Sequence, residues 1–412
     1  MALTKQDEKH LAHALNLARA GIGFASPNPC VGALLVDGHG KVIGEGTHNY
    51  ERKMHAEILA IDEAGKKAKG ATLYLNLEPC CHQGRTPPCT NAIIKARIKR
   101  VVAAMADPNP VVAGKGAAQL RAAGIEVHVE TSGEIYTTAR RLNESFAKFI
   151  SLHTPLVTLK AGMTLDGKIA LAPDSEAMNA PPGTRGWITS EEARAHVQIL
   201  RHASDAILIG VGTVISDDPL LTDRSGLDRR RPLLRAVVDS RLRIPLESKI
   251  VQSADGDVIV FCAFAEEHKR QELEARGVRV EALPLWSEEL KVAGGRPLRE
   301  AHGRLDIREL VRRMGEMDIT SLLIEGGALV NWMALAAGIV DKVFLYYAPK
   351  ILGGEGAVPF AGGEGFERLS DAAIVRNITM HRFAEDFAVE GYLRDPYAHV
   401  LQSELQLVKN KK

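Results

Sequence analysis

The chain has 412 residues, 25% of them charged, with 52 basic against 51 acidic and a formal net charge of +1. That length suits two or three domains, each able to bury a core, and the balanced charge leaves no broad basic footprint for a nucleic acid. The first residues turn polar at once, no apolar run reaches bilayer length, and five cysteines do not form a disulfide pattern, so the expectation is a cytoplasmic protein that handles a small molecule, with neither membrane nor nucleic acid as partner.

Thr4 and Asp7 fit a capping pattern ahead of a helix that carries Leu11, Leu15 and Ala18 on one face. Strands are expected over 31–36 and 41–45, joined by the turn-rich 37–40. His55 then opens a helical run through Ile58, Leu59 and Ile61, which puts His55 and Glu57 in one first turn, where both can converge on a metal off the helix end. A strand over 71–77 delivers Cys80, and Cys89 begins a helix through Ile93 and Ile94, whose free amides favour a thiolate. Strands over 101–104 and 125–129 bracket a helix near 117–123, an alternation that predicts a layered α/β domain.

A helical stretch over 134–149 leads to a boundary placed near Ser151, dividing the chain into 1–150 and 151–412. The second half alternates again, with strands over 156–160, 206–210, 235–239, 257–261, 321–325 and 342–347. The Pro-rich stretch 172–183 reads as an exposed loop, Arg229-Arg230-Arg231 as a solvated one, and the tail beyond Pro396 as frayed.

The chemistry concentrates in the first half. His55, Cys80 and Cys89 supply one imidazole and two thiols, the three protein ligands of a catalytic zinc (Zn2+), with water in the fourth position. Zinc would lower the pKa of bound water toward ~7, and Glu57 would carry protons to a leaving nitrogen. The generic base-deaminase signature is His-x-Glu followed by Pro-Cys-x-x-Cys; here eight residues separate Cys80 from Cys89. A structural zinc site would need a fourth ligand, for which His82 stands nearest, while Cys81 reads as an ordinary thiol. Two other readings are a nucleic-acid base deaminase with an unrelated second domain and a non-catalytic, zinc-stabilised interaction module. The charge balance and the intact Glu57 weigh against them.

Glu78-Pro79-Cys80, Gly84-Arg85-Thr86-Pro87-Pro88-Cys89 and Asp107-Pro108-Asn109-Pro110 closely resemble the deaminase half of the bifunctional pyrimidine deaminase/reductase family of riboflavin biosynthesis. The longer cysteine spacing is normal in that family. Thr164-Leu165-Asp166-Gly167-Lys168, Trp187-Ile188-Thr189-Ser190, Gly210-Val211-Gly212-Thr213-Val214, the Asp217–Thr222 segment and Glu325-Gly326-Gly327 resemble its reductase half in the same order. The resemblance implies two α/β domains, an N-terminal cytidine-deaminase-like three-layer domain and a C-terminal dihydrofolate-reductase-like domain. It also implies hydrolytic deamination of a pyrimidine ribose phosphate, then NADPH-dependent reduction of the ribosyl group to ribityl, in a homo-oligomer.

By position, the resemblance places NADPH near Gly162, Trp187, Thr213, Asp217, Ser240 and the Gly327-Ala328-Leu329 loop. It places the phosphorylated substrate near Arg185, Arg201, Leu221, Arg224 and Glu325, and in the deaminase half near Asn28. Arginines suit a phosphate, and glycines opening a helix present amides to a diphosphate. The residues themselves agree that this is not a Gly-x-Gly-x-x-Gly dinucleotide site, because the third position after Gly210 and Gly212 holds Ile215. Lys160 and Asp217 are the candidates for the proton of the reductive step.

Overall fold

The computed structural model describes residues 3–176, 186–286 and 304–399. The chain forms two compact units: Met1–His153 with Asp228–Arg231 and Pro396–Lys412, and Thr154–Leu227 with Pro232–Asp395. The first unit is therefore assembled from three stretches of sequence.

In the first unit, α1 (Lys5–Arg19), β1 (Gly32–Val36), β2 (Val42–Thr47), α2 (Ala56–Ala64), β3 (Thr72–Leu75), α3 (Cys89–Lys95), β4 (Arg100–Ala103), α4 (Lys115–Ala122), β5 (Glu126–Val129), α5 (Gly133–Leu142) and α6 (Glu144–Leu152) follow in order. The sheet runs β2-β1-β3-β4-β5, antiparallel around β1 and parallel from β3 to β5. Alternate strand residues feed two cores. Leu35, Leu73 and Val101 pack with Ala60, Ile93 and Leu120 on one face, while Leu34, Tyr74 and Val102 pack with Leu11, Leu15 and Ala139 on the other. This is the expected three-layer domain. The helical stretch over 134–149 breaks at Asn143, whose side chain accepts from Cys30 N at 2.8 Å and donates to Cys30 O at 3.1 Å, holding the segment before β1 as a neighbouring strand would.

The helix that carries the candidate metal ligand sits unusually close to the sheet. A Cβ on Gly44 would lie 2.1 Å from the Ala60 carbonyl oxygen, and one on Gly46 would lie 2.1 Å from that of Ala56. Glycine is thus required on β2 for α2 to pack there, with Ala56, Ala60 and Ala64 facing the strand core.

At the other end of the domain, α1 begins with the expected capping box between Thr4 and Asp7. Asp7 also accepts from Arg100 at 2.6 Å and from the Tyr74 hydroxyl at 2.8 Å, tying α1 to β4 and β3. Burial alone would raise the Asp7 carboxyl, but Arg100, Thr4 and Tyr74 hold it well below the usual carboxylate range. Its stabilisation is therefore fully present above the unfolded value of about 3.9 and lost as pH falls below that. Asp7→Asn should cost about 2–3 kcal/mol at neutral pH and clearly less, though not nothing, near pH 2, where the folded carboxylate still keeps part of its charge, read as urea midpoints at the two pH values; an equal loss at both would refute the charge-based account.

The second unit contains β6 (Leu156–Thr164), β7 (Lys168–Ala170), α7 (Glu191–His202), β8 (Ala206–Gly210), α8 (Val211–Asp217), β9 (Leu234–Val238), α9 (Lys249–Gln252), β10 (Val258–Cys262), α10 (Glu267–Ala275), β11 (Val278–Ala282), α11 (Ile307–Glu316), β12 (Ser321–Ile324), α12 (Ala328–Ala336), β13 (Lys342–Ala348), β14 (Val358–Pro359), β15 (Arg376–Phe383) and β16 (Asp386–Tyr392). Its nine-stranded sheet has the order β11-β10-β9-β8-β12-β6-β13-β16-β15. The strands from β11 to β13 are parallel, and the β15–β16 hairpin closes the sheet antiparallel. The parallel strands are almost wholly apolar and buried on both faces. Inserting β12 between β8 and β6 creates a switch in strand order, where open α/β sheets bind ligands beyond the carboxyl ends.

The start of the tail is packed rather than frayed. Tyr397 is buried, its hydroxyl donates to Arg140 O at 2.9 Å, and the Arg140 guanidinium lies over its ring at 4.0 Å. Residues 400–412 lie outside the described residues, as do most of the Pro-rich loop and Arg185. Among the described residues no helix is long and apolar enough to cross a membrane.

Candidate active sites

His55 is the last extended residue before α2, with φ −77° and ψ 155°. Its Nδ1 lies 3.1 Å from Cys89 Sγ and 3.5 Å from Cys80 Sγ. The three ligand atoms all fall within 4.8 Å of one another. Zinc bonds of about 2.0–2.1 Å to nitrogen and 2.3 Å to sulfur, set tetrahedrally, need ligand separations of roughly 3.5–3.8 Å, so the residues fit the ion. Neither Cys81 nor His82 joins the convergent group. Three protein ligands leave one position open, which a structural site would fill.

The electrostatics suit the same ion. A hydrogen bond from the Cys89 thiol, outweighing burial and joined by His55, holds Cys80 down to about 4; the same bond, then burial, pushes Cys89 up. One thiolate is thus present at neutral pH, and a cation would release the second proton. The far side of the imidazole is also fixed, with Nε2 3.1 Å from the Thr86 hydroxyl. With an ion bound at Nδ1, the ring proton would sit on Nε2 and be donated to that hydroxyl. Sequence reasoning did not single out Thr86; its position in the segment between Cys80 and Cys89 was the available signal.

Glu57, in the first turn of α2, is buried. Burial, followed by the charge of Cys80, raises its carboxyl above the ordinary carboxylate value. The adjacent pocket is lined by Asn28, His48, Tyr50, Lys53, His55, Arg85 and Thr86. His48 is neutral: burial lowers its pKa, Nδ1 donates to Met54 O at 3.0 Å, and Nε2 accepts from Asn28 at 3.0 Å. Asn28 therefore presents its carbonyl oxygen elsewhere, with its amide spent on His48.

Behind the metal ligands, Glu78 accepts from the backbone amides of Asp107, Gly114 and Ala117 at 3.2, 2.9 and 2.8 Å. It holds the Asp107–Gly114 loop and the start of α4 against the Cys80 segment. Burial, then the Glu78 carboxylate, pushes Asp107 up to about 8, so this acid is largely protonated at neutral pH and can donate.

In the second unit, the candidate residues gather at the carboxyl ends of parallel strands. Glu325 follows β12, and its oxygens bind Arg201 at 2.7 and 3.0 Å and Lys160 at 3.4 Å. Burial would raise this carboxyl, but Lys160 and Arg201 hold Glu325 down to about 2. Arg201, on α7, also donates to Thr222 O at 2.9 Å, just past the buried Leu221. Arg224 N donates to Gln198 on the same helix. Gly327 caps α12, placing Ala328 and Leu329 in its first turn. A Cβ on Gly327 would lie 3.5 Å from Thr213 Oγ1 on α8, so the helix starts after β8 and after β12 are neighbours.

The other candidates lie on separate elements of the second unit. Gly162 is on β6, where a Cβ would meet Thr189 at 3.1 Å. Trp187 is 63% exposed despite its size, held by Lys350, which donates to its carbonyl at 2.9 Å; a large exposed ring suits stacking on a ligand. Asp217 ends α8 and accepts from Ser216 at 2.7 Å, and the Ser240 carbonyl after β9 accepts from Ala263 and Phe264. Asp166, within the Thr164–Lys168 motif, is structural. It accepts from Thr164 and from the Leu352 and Gly353 amides, which hold it down to about 2.

Residues 4–105 match the cytidine and deoxycytidylate deaminase zinc-binding region, and residues 155–387 match the RibD C-terminal domain. The riboflavin biosynthesis protein RibD of Aquifex aeolicus is 39% identical over 93% of this chain and 97% of its own length. That of Escherichia coli is 40% identical over 89% and 94%. The structure of Acinetobacter baumannii RibD superposes with a TM-score of 0.76 at 33% identity, covering 94% of this chain and 99% of that one. A Thermotoga maritima diaminohydroxyphosphoribosylaminopyrimidine deaminase/5-amino-6-(5-phosphoribosylamino)uracil reductase gives 0.75 at 33% identity, over 94% and 98%. With a zinc-binding deaminase domain ahead of an NADPH-dependent reductase domain, the chain belongs to the RibD family of bifunctional riboflavin-biosynthesis enzymes.

Proposed function

We propose that the two halves act in sequence on one small phosphorylated pyrimidine, the first over 1–150 and the second over 151–412. The first step removes the ring 2-amino group of 2,5-diamino-6-(5-phosphoribosylamino)pyrimidin-4-one, and the second reduces the ribosyl group to ribityl. The observation that carries the reading is the convergence of His55, Cys80 and Cys89 beside the buried carboxyl of Glu57.

His55, Cys80 and Cys89 hold the zinc, which supplies Lewis acidity and lowers the pKa of water bound to it. Glu57 accepts a proton from the attacking water as the oxygen bonds to the amine-bearing ring carbon. It then returns the proton to the departing nitrogen, which leaves as ammonia. Thr86 fixes the His55 tautomer, and Asn28, oriented by His48, faces the pyrimidine.

In the second half, NADPH bound there would supply the hydride for reduction of the anomeric carbon of the ring-opened sugar. Gly162, Trp187, Thr213, Asp217, Ser240, Gly327, Ala328 and Leu329 hold the cofactor. Arg185, Arg201, Leu221, Arg224 and Glu325 hold the substrate, with Glu325 orienting the Arg201 fork. Lys160, on the same strand as Gly162 and in contact with Glu325, donates the completing proton. The family relationship supports a homo-oligomer, and five free cysteines suit a reducing cytoplasm.

The test is NADPH oxidation on adding the diaminopyrimidinone ribose phosphate to the zinc-loaded full chain. Oxidation should follow ammonia release and should start without lag on pre-deaminated substrate. No oxidation of NADPH with pre-deaminated substrate would overturn the reductase assignment.

A further inference from the structure

Asp228–Arg231 comes from the second half of the sequence yet belongs to the first unit. Arg230 is not the solvated residue that its basic run suggests: its side chain is 16% exposed. Its backbone amide donates to Gly23 O at 2.9 Å, and its guanidinium donates to Ser26 O at 2.8 Å and Glu51 at 3.1 Å while lying 4.5 Å from the Tyr50 ring centre. It thereby joins the loop that carries Asn28 to the loop between β2 and α2. The neighbouring Arg231 reinforces the first attachment through Ser26 Oγ at 3.2 Å.

The same Tyr50 ring carries a second guanidinium, that of Arg85, at 4.2 Å. Arg85 and Tyr50 line the deaminase pocket with Lys53. Among the described residues no carboxylate, carbonyl or hydroxyl accepts from the Arg85 side chain. Stacking occupies the flat side of a guanidinium and leaves its in-plane N–H fork free for a bidentate anion. The direction in which that fork points depends on where Tyr50 is held. We propose that Arg230 is a positioning residue of the deaminase pocket, fixing Tyr50 and through it the Arg85 fork that receives the phosphate of the substrate. This role rests on the deaminase reading above.

The test compares ammonia release by zinc-loaded wild type, Arg230→Ala, Tyr50→Phe and Tyr50→Leu, each on the ribose-phosphate substrate and on its dephosphorylated form. Arg230→Ala should raise KM for the phosphorylated substrate about tenfold, change kcat less than about threefold, and leave the dephosphorylated substrate unaffected. Tyr50→Leu should reproduce this rise in KM, whereas Tyr50→Phe keeps the ring and should raise it less; if Arg230→Ala fails to fold, an unchanged KM in Tyr50→Leu removes the link through which Arg230 acts and overturns its role. An unchanged KM, or the same factor on both substrates, overturns the role of Arg230. Absence of ammonia release by wild type overturns the deaminase reading instead, and this role with it.

Discussion

Glu57→Ala should reduce ammonia release by about 10³–10⁴-fold while one zinc remains bound per chain. The carboxyl is buried beside Cys80 and Cys89 but does not belong to the convergent ligand set, so its removal leaves the ion its three protein ligands. What disappears is the group that moves a proton from water to the leaving nitrogen. Glu57→Gln should be about as inactive, because it keeps the volume and loses the proton carrier. Reduction of pre-deaminated substrate should be untouched in both variants. Loss of zinc from Glu57→Ala, measured by metal analysis of the purified chain, would make Glu57 a ligand and end its assignment as proton carrier.

Arg235→Leu should cost about 3–5 kcal/mol of stability. Arg235 is almost fully buried on β9 and uses its whole donor set: two bonds to Asp257 at 2.9 and 2.8 Å, two to Ser253, and one to Leu220 O at 2.8 Å. Leucine would strip the half-buried Asp257 carboxylate of its guanidinium, leaving it the Asp255 amide, and would release the Leu220 and Ser253 carbonyls. Lysine would restore the charge but not the planar fork, and should recover less than half of the loss. Because Leu220 adjoins Leu221 and Thr222, reductase activity should fall with the same substitution while ammonia release persists. Chemical denaturation of the second unit decides it: a loss below about 1 kcal/mol would show that the buried fork contributes little.

The first domain was legible because its signals are local and redundant. The Thr4–Asp7 box, the alternation of β1 through β5, and the placement of His55 and Cys89 at helix starts all agree with the structure. The central parallel strands of the second domain announce themselves as short apolar runs, whereas the edge strand β11, which alternates Val278 and Val280 with Arg279 and Glu281, does not. The β15–β16 hairpin does not, because β15 exposes Ile378 and Met380 and interleaves them with Asn377, Thr379 and His381, which blurs its period. What the sequence could not show is which polar residues spend themselves on each other. Glu325 and Arg201 read as two independent ligand contacts, and only the fold reveals them as one bidentate pair. Thr86, Tyr50 and Arg230 are ordinary residues in loops; their importance lies in contacts across distant sequence, which carry no motif.

The three-piece construction of the first unit bears on any attempt to cut the protein in two. Residues 1–150 carry the entire metal-binding set, so an excised fragment would look chemically complete. It would nonetheless lack Arg230, which braces the loops around the pocket, and Tyr397, which seats on Arg140 of α5. A recombination point near residue 151 would pass on the candidate ion site with its pocket lining and leave behind the two side chains that tie its outer loops and helix together.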